Sequence, residues 1–339
     1  MSSTDTPLLE VRDLRVRLRT PRGPAAAVRD LSFTLQRGQT LGIVGESGCG
    51  KSISVMALMG LLPEGAQVSG SIRFDGQELL GASEQALCAL RGHRMAMIFQ
   101  EPMTALNPVH TVGHQVAEPM RLHLGLGARE ARERARQLLD RVGIPDAARR
   151  LDAYPHQFSG GQRQRITIAM ALACNPDLLI ADEPTTALDV TIQKQILDLM
   201  RELVAERGMA MILISHDLAM IAQNVQRMLV MYGGTVVESG DTQQVFGAHA
   251  HPYTRGLFAA RPRLGAPRGL RLATIPGSVP ELADLPAGCT FAGRCAHGVD
   301  RCHTQPPAWV DRGLQHRVRC DRLEPIDAAH ATALQETRA

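Results

Sequence analysis

The stretch Gly45-Glu46-Ser47-Gly48-Cys49-Gly50-Lys51-Ser52 constrains this chain more than any other. It fits the phosphate-binding loop (P-loop) pattern G-x-x-x-x-G-K-[ST], which needs a strand before it and a helix after it. Both flanks fit, because residues 40–44 form a short apolar run and residues 53–62 have helical character. The sequence therefore predicts a strand, a glycine-rich loop and a helix that together bind phosphate.

The residues of this loop have distinct predicted roles toward ATP. The glycines allow backbone N–H groups to turn toward the phosphates, and the following helix adds the positive end of its dipole. Lys51 is predicted to reach the β and γ phosphates, and the hydroxyl of Ser52 to complete the coordination of Mg²⁺. A glycine-rich turn with a chance lysine would lack the matching flanks.

Two adjacent acids, Asp182 and Glu183, directly follow the apolar run 178–181 and are further candidates for the site. In P-loop ATPases an acid at the end of a strand holds the metal, which suits Asp182, and a second acid activates the attacking water, which suits Glu183. Two adjacent acids could also form a solvated strand end. Their occurrence in one chain with the P-loop favours the catalytic interpretation.

The rest of the chain predicts an α/β fold around this loop. Residues 8–35 alternate apolar and polar side chains, so an antiparallel lobe is expected first. Apolar strands at 178–181 and 209–215, joined by a helical stretch at 191–207, indicate a parallel core. We expect a P-loop NTPase (RecA-like) core with an antiparallel β lobe and a helical insertion at about 101–165.

Beyond residue 260 proline and glycine become frequent, which predicts a domain boundary near residue 262. The expected domains are 1–262, an ATPase domain, and 263–339, a small C-terminal domain that contains cysteines.

Composition argues against several classes of protein. A net charge of +3 and an aromatic content of 3% disfavour a nucleic-acid partner, which needs phosphate-neutralising and base-stacking side chains. No apolar stretch approaches the roughly 20 residues of a transmembrane helix. Residues 1–6 lack the apolar region of a signal peptide. We therefore expect a chain that neither spans a membrane nor is exported, with reduced thiols.

Residues 158–162, Phe-Ser-Gly-Gly-Gln, precede the strand with the two acids and resemble the signature loop of the ABC transporter ATPases. The resemblance implies that Ser159, Gly160, Gly161 and Gln162 face the γ-phosphate held by the P-loop of a second, similar subunit. A helix N-terminus and the hydroxyl of Ser159 would bind that phosphate. We expect each site to be made by two subunits and a lone subunit to be nearly inactive.

Three more residues match positions of this family. Gln100 resembles the glutamine that contacts Mg²⁺ and water and responds to the membrane partner. His216 resembles the switch histidine that hydrogen-bonds the γ-phosphate and holds the catalytic glutamate. Asp189 resembles the loop that crosses the dimer interface.

Leu18 departs from the family pattern, which usually places an aromatic residue there to stack on adenine. Leucine packs against a purine without aromatic stacking, so base selectivity and affinity are expected to be weaker, and use of GTP stays open.

Three stretches narrow the resemblance to the ATPase subunits of oligopeptide and dipeptide importers: 101–108 (EPMTALNP), 251–257 (HPYTRGL) and 275–280 (IPGSVP). The resemblance implies a second ATPase subunit, more often a non-identical homologue, two transmembrane permease subunits and an extracytoplasmic substrate-binding protein. It also implies a peripheral position on the cytoplasmic face of the membrane. Nickel and glutathione importers share much of this pattern and stay an alternative. A soluble ABC protein without a membrane partner is a more distant one.

Four of the seven cysteines lie close to the C-terminus: Cys289, Cys295, Cys302 and Cys320. Their spacing lacks the short C-x-x-C form of zinc ribbons. In this subfamily such cysteines are associated with a four-iron, four-sulfur cluster, and we expect one here. Zinc, assisted by His297, His303 or His316, and free structural cysteines are the alternatives.

Overall fold

The computed structural model describes residues 6–100, 105–186, 188–260, 274–313 and 315–323, which form two β-sheets surrounded by helices. The strands in these residues are β1 Leu9–Thr20, β2 Gly23–Leu35, β3 Thr40–Val44, β4 Gln67–Phe74, β5 Gln77–Glu78, β6 Met95–Ile98, β7 Leu178–Asp182, β8 Ala210–Ser215, β9 Arg227–Tyr232, β10 Thr235–Asp241, β11 Trp309–Asp311 and β12 Arg317–Arg319. The helices are α1 Lys51–Leu58, α2 Glu84–Leu90, α3 Val112–Leu124, α4 Ala128–Arg141, α5 Ala147–Arg150, α6 Gly160–Ala171, α7 Val190–Arg207, α8 Leu218–Asn224, α9 Thr242–Ala248, α10 Pro252–Ala259 and α11 Asp300–Thr304. Short 3₁₀ turns lie at Pro155–Gln157, Leu282–Asp284 and Ala292–Arg294.

The first sheet is the predicted antiparallel lobe, with strand order β2-β1-β4-β5. Strand β1 pairs antiparallel with both β2 and β4. Along β1 the side chains of Leu14 and Val16 are buried, whereas those of Arg15 and Arg17 are exposed. The alternation of apolar and polar residues in the sequence therefore corresponds to one buried and one solvated face, as expected for such a sheet.

The second sheet is the predicted parallel core, extended by antiparallel strands at one side. Its strand order is β11-β12-β10-β9-β3-β8-β7-β6. Strands β9, β3, β8, β7 and β6 run parallel to one another. All six residues of β8 are buried, because helices cover both faces of a parallel sheet. The P-loop follows β3, which lies between β8 and β9, so it stands at the carboxyl edge where such sheets bind ligands.

Helix α1 is shorter than predicted and begins earlier. Apolar spacing predicted 53–62, whereas the helix spans Lys51–Leu58. It starts at Lys51 because Gly50, with φ of 98°, turns the loop directly into the helix. It stops before Gly60, whose φ of 62° leaves the helical region.

The predicted helical insertion contains α3, α4, α5 and the first part of α6, which continues to Ala171. Helix α4 buries Ala131, Ala135 and Leu139, which recur at every fourth position and so lie on one face. Residues 101–104 of the predicted 101–165 insertion lie outside the described residues.

The C-terminal segment, which we define as residues 274–323 as described, shares the sheet of the ATPase core. Strand β12 pairs antiparallel with β10, and β11 pairs with β12. Residues 261–273, which contain the predicted boundary near 262, lie outside the described residues. The division into 1–262 and 263–339 therefore stays a prediction. Within the part of the chain that is described, no helix combines the length and the apolar character needed to cross a membrane.

Candidate nucleotide-binding site

The P-loop wraps around the amine of its own lysine. Lys51 is buried, and its Nζ donates to the backbone carbonyl oxygens of Gly45 at 2.8 Å and Glu46 at 3.0 Å. Two of the glycines are required by close approach of backbone: a Cβ at Gly45 would lie 2.2 Å from the Met231 carbonyl oxygen, and one at Gly50 would lie 2.4 Å from the Ala27 carbonyl oxygen. The glycines predicted from the motif thus fit the loop between β2, β9 and α1.

Asp182 and Ser52 meet beside this loop. Asp182 ends the buried strand β7, and the Ser52 hydroxyl hydrogen-bonds to it. Burial and the neighbouring charge of Glu183 raise the pKa of Asp182, although the bond to Ser52 and the charge of Lys51 oppose that shift. The Oδ1 atom of Asp182 is buried without a hydrogen-bond partner among the described residues. A hydroxyl and an orphaned carboxylate oxygen form a donor set that suits Mg²⁺.

Glu183 is the centre of a hydrogen-bond cluster. Its Oε2 accepts from Gln100 Nε2 at 3.2 Å and from Thr186 Oγ1 at 3.1 Å, and it lies 3.2 Å from His216 Nδ1. The side chain of Glu183 is 12% exposed, whereas His216 is 64% exposed. The structure therefore brings together Gln100, Glu183 and His216, which are far apart in the sequence.

The backbone of Glu183 is also unusual. Its φ of 46° lies in the left-handed region, which non-glycine residues seldom adopt and which concentrates at functional sites. The Glu183 N–H donates to the Ile214 carbonyl oxygen at 3.1 Å, which fixes this conformation against β8.

Three residues at this site were missed as site residues by sequence reasoning. Thr186 bonds to Glu183, Tyr253 OH accepts from the Glu46 N–H at 2.8 Å, and Arg294 pairs with the Glu46 carboxylate at 2.7 Å. Tyr253 lies in the stretch 251–257 and Arg294 precedes Cys295. Tyr253 stood in a stretch that carried the family resemblance, and Arg294 stood beside a predicted cluster cysteine, but only the tertiary structure places them against the P-loop.

The signature loop caps helix α6. The Ser159 hydroxyl accepts from Gln162 N–H at 3.3 Å, and Ser159 N–H donates to Gln162 Oε1 at 3.1 Å. This is a capping box at the start of Gly160–Ala171. Ser159 and Gly160 are exposed and Gly161 is half-buried, so the N-terminus of α6 faces outward.

Two further predicted site residues have simple local roles in the structure. Asp189 is the N-cap of α7, where its Oδ1 accepts from the Ile192 N–H at 3.0 Å. Leu18 is half-buried near the end of β1 and packs on the core beneath the antiparallel lobe. The interface role of Asp189 and the adenine contact of Leu18 stay predictions.

The four C-terminal cysteines line one cavity of about 20 Å³, together with Phe291 and His297 among other residues. All four are free thiols. Burial raises the pKa of Cys289 to about 12 and that of Cys320 to about 11, and the neighbouring cysteines add to both shifts. Cys289 and Cys295 flank the 3₁₀ turn Ala292–Arg294, Cys302 lies in α11, and Cys320 directly follows β12.

The four thiols share a cavity, but their arrangement does not match that of a metal site. Among the described residues, no group of three or more His, Cys, Asp or Glu side chains is arranged to hold a metal ion. The expected iron–sulfur cluster is not supported by this arrangement, and it stays a proposal, as does zinc.

Comparison with known proteins decides the family. The family model described as ABC transporter matches residues 28–186, and the model described as oligopeptide/dipeptide transporter, C-terminal region, matches residues 237–302. A protein of Brucella melitensis, named as a peptide import ATP-binding protein, is 50% identical over 334 residues, with 95% of this chain and 99% of that protein covered. The chain belongs to the ATP-binding subunits of the oligopeptide/dipeptide ABC transporter family.

Other members and solved structures agree with this assignment. The oligopeptide transport ATP-binding protein OppD of Salmonella typhimurium is 51% identical over 300 residues, covering 88% of this chain and 89% of OppD. A solved dimeric ATP-binding cassette in a post-hydrolysis state, bound to ADP and Pi, matches with a TM-score of 0.62 and 25% identity. The match covers 69% of this chain and 98% of that one. As a member of this ABC family the chain is an ATPase, and ATP with Mg²⁺ is its nucleotide.

Proposed function

We propose that this ABC subunit hydrolyses ATP to energise the import of dipeptides or oligopeptides through a membrane transporter. The observation that carries the proposal is the cluster around Glu183 Oε2, which Gln100, Thr186 and His216 contact. Glu183 directly follows Asp182, to which the P-loop residue Ser52 hydrogen-bonds.

Glu183 is the residue we assign to the attacking water. The three contacts all go to Oε2, which leaves Oε1 as the oxygen that orients or deprotonates the water for in-line attack on the γ-phosphate. His216 and Gln100 hold the carboxylate, and His216 also hydrogen-bonds the γ-phosphate. Lys51 stabilises the charge that develops on the phosphoryl oxygens. Positioned general-base assistance of this kind contributes about 10² to 10⁴ in rate.

The residues for Mg²⁺ are Ser52, Asp182 and Gln100. When bound, the ion neutralises charge on the phosphates. The hydrogen bond between Ser52 and Asp182 and the unpartnered Asp182 Oδ1 support this assignment.

The second half of each site is assigned to another subunit. The exposed N-terminus of α6, with Ser159 in its capping box, offers N–H groups to a phosphate on a facing protein. Asp189, exposed at the start of α7, is placed at the same interface. The partner is proposed to be a non-identical homologue, and the solved cassette that resembles this chain is itself dimeric.

The test of hydrolysis is Glu183→Gln in the assembled transporter. We expect ATP binding to persist, an ATP-dependent closed dimer to accumulate on size-exclusion chromatography, and turnover to fall by about 10² or more. Glu202→Gln, which removes the same charge from an exposed position on α7, is the matched control. Unchanged turnover in Glu183→Gln would remove this residue from the role.

Contact with permease subunits is proposed at the exposed apolar residues Phe99, Val109 and Leu122. Phe99 adjoins Gln100, and the other two flank or belong to α3. Exposed apolar side chains of this kind mark surfaces for protein partners. We therefore assign this subunit a peripheral position on the cytoplasmic face of the membrane, held by two permeases that receive cargo from a binding protein.

The cargo is tested in liposomes that hold the permeases and the ATPase pair. Peptide-loaded binding protein should raise ATP hydrolysis, whereas unloaded protein should not. Stimulation by nickel or glutathione instead would select those alternatives. A chain that hydrolyses ATP at full rate without any membrane partner would overturn the transport proposal.

The four cysteines are proposed to hold a four-iron, four-sulfur cluster, which would brace a segment with a small core. The common cavity and the thiol donor set support the proposal. Anaerobic purification followed by iron and acid-labile sulfide analysis tests it, with Cys302→Ser compared with Cys88→Ser, an exposed cysteine outside the cavity. Zinc in place of iron would identify the alternative, and absence of any metal would refute both.

A further inference from the structure

Arg294 joins the C-terminal segment directly to the P-loop. Its Nη1 donates to Glu46 Oε2 at 2.7 Å, and its Nη2 donates to Glu46 Oε1 at 3.3 Å. The Arg294 side chain is only 6% exposed and that of Glu46 is 29% exposed. This is a two-pronged, largely buried ion pair, a geometry that is stronger and more directional than a surface salt bridge.

The guanidinium is itself fixed from several sides. Its Nε donates to the Pro276 carbonyl oxygen at 2.8 Å, and Nη2 donates to that of Ile275 at 3.2 Å. Nη1 also donates to Tyr232 OH at 3.3 Å. The position of Arg294 is therefore fixed by contacts with the C-terminal segment and with β9.

Glu46 is equally constrained on the loop side. Its N–H donates to Tyr253 OH, and its carbonyl oxygen accepts from Lys51 Nζ at 3.0 Å. Glu46 thus contacts Lys51 through its backbone carbonyl oxygen and Arg294 through its carboxylate.

The charge of Glu46 affects how well the P-loop binds a nucleotide. A half-buried carboxylate in the phosphate loop repels phosphate oxygens unless a cation compensates it. Arg294 supplies that cation. The two Nη atoms of its guanidinium each donate to one oxygen of the Glu46 carboxylate, which holds the carboxylate against the C-terminal segment.

We propose that Arg294 is a positioning residue for nucleotide affinity, acting through Glu46 to neutralise and orient the P-loop. The role goes beyond peptide transport and beyond hydrolysis by Glu183. Its failure would leave both of those proposals standing.

The experiment measures the affinity of the full-length chain for MgADP by isothermal titration calorimetry. Arg294→Ala is expected to bind about tenfold more weakly, a size typical of the coupling within one charged network. Glu46→Gln/Arg294→Ala should bind more tightly than Arg294→Ala, because the uncompensated acid is gone. Arg294→Lys should lie between, since an ammonium keeps the charge but loses the fork. Arg317→Ala, which removes a cation from β12 where it pairs with Asp311, is the control and should bind like wild type.

Kinetics separate positioning from a merely structural effect. In the assembled ATPase, Arg294→Ala should raise KM for ATP while kcat changes by less than about twofold, since binding before the chemical step is what is lost. Thermal unfolding of each variant establishes that it is folded. If Arg294→Ala does not fold, the comparison uses Arg294→Lys with and without Glu46→Gln. MgADP affinity of Arg294→Ala equal to wild type, or failure of the second substitution to restore any affinity, would overturn the proposal.

Discussion

Replacing Glu238 should release the C-terminal segment from the ATPase core. Glu238 lies on β10, is 0% exposed, and its carboxylate receives the N–H groups of Ala250 at 3.0 Å and His251 at 2.8 Å. His316, from the turn before β12, places its Nε2 2.8 Å from the same carboxylate. The acid thus joins β10, the start of α10 and the C-terminal segment.

The expected cost of Glu238→Ala follows from these contacts. Three buried donors lose their acceptor, and each loss costs about 1 to 3 kcal/mol before partial relaxation of the surrounding groups. We therefore expect about 3 to 5 kcal/mol of lost docking stability, in which each 1.4 kcal/mol is about tenfold in population. The opened form of the segment should be about 100-fold or more better populated.

Limited proteolysis of the C-terminal segment measures that population, because cleavage follows local opening. The control is Glu281→Ala, which removes an exposed carboxylate that pairs with Arg22 at 3.3 Å and is 76% exposed. Solvent screens such a surface pair, so it contributes little to stability and cleavage should stay close to wild type. Equal cleavage rates for Glu238→Ala and Glu281→Ala would refute the reasoning.

Other predictions concern the effect of pH on Glu238, the backbone of the P-loop at Gly50, the site shared with a second subunit at Ser159, and the adenine contact at Leu18. Burial opposes ionisation of Glu238, but hydrogen bonds from His316 and the neighbouring amides outweigh it and hold its pKa below the ordinary 4.5. The stabilisation is therefore present above pH 4.5 and is lost as pH falls below it, so proteolysis of wild type and Glu238→Gln should converge in acid. Gly50→Ala should cost more than about 2 kcal/mol and abolish MgADP binding in calorimetry, because of its φ of 98° and a Cβ 2.4 Å from a backbone oxygen; normal binding would contradict the geometry. Ser159→Ala in one subunit of a dimer should impair the site in the other, and full activity in a mixed-dimer assay would contradict the shared site. Leu18→Tyr should tighten MgATP binding by about 2- to 12-fold, as stacking adds about 0.5 to 1.5 kcal/mol, and an unchanged titration would exclude Leu18 from the base contact.

Local patterns in the sequence were sufficient for most of the fold. The alternation in β1, the predominantly apolar run of β8 and the P-loop each depend on residues close in the chain. Their side-chain periods and turn chemistry follow from backbone geometry. The ends of α1 were predicted wrongly, because glycines in the left-handed region set its limits, whereas the prediction used apolar spacing.

The sequence by itself determined which groups are available for the proposed chemistry: a lysine and a serine in a glycine loop, two acids after a strand, and a serine at the start of a helix. Only the tertiary structure decided that Glu183 meets Gln100 and His216, and that Arg294 reaches Glu46 across 248 positions of the chain. The physical reason is that a motif encodes local backbone geometry, whereas contacts between distant residues depend on how strands pair. Here the pairing of β12 with β10 and of β3 with β8 and β9 brings the C-terminal segment and the P-loop together.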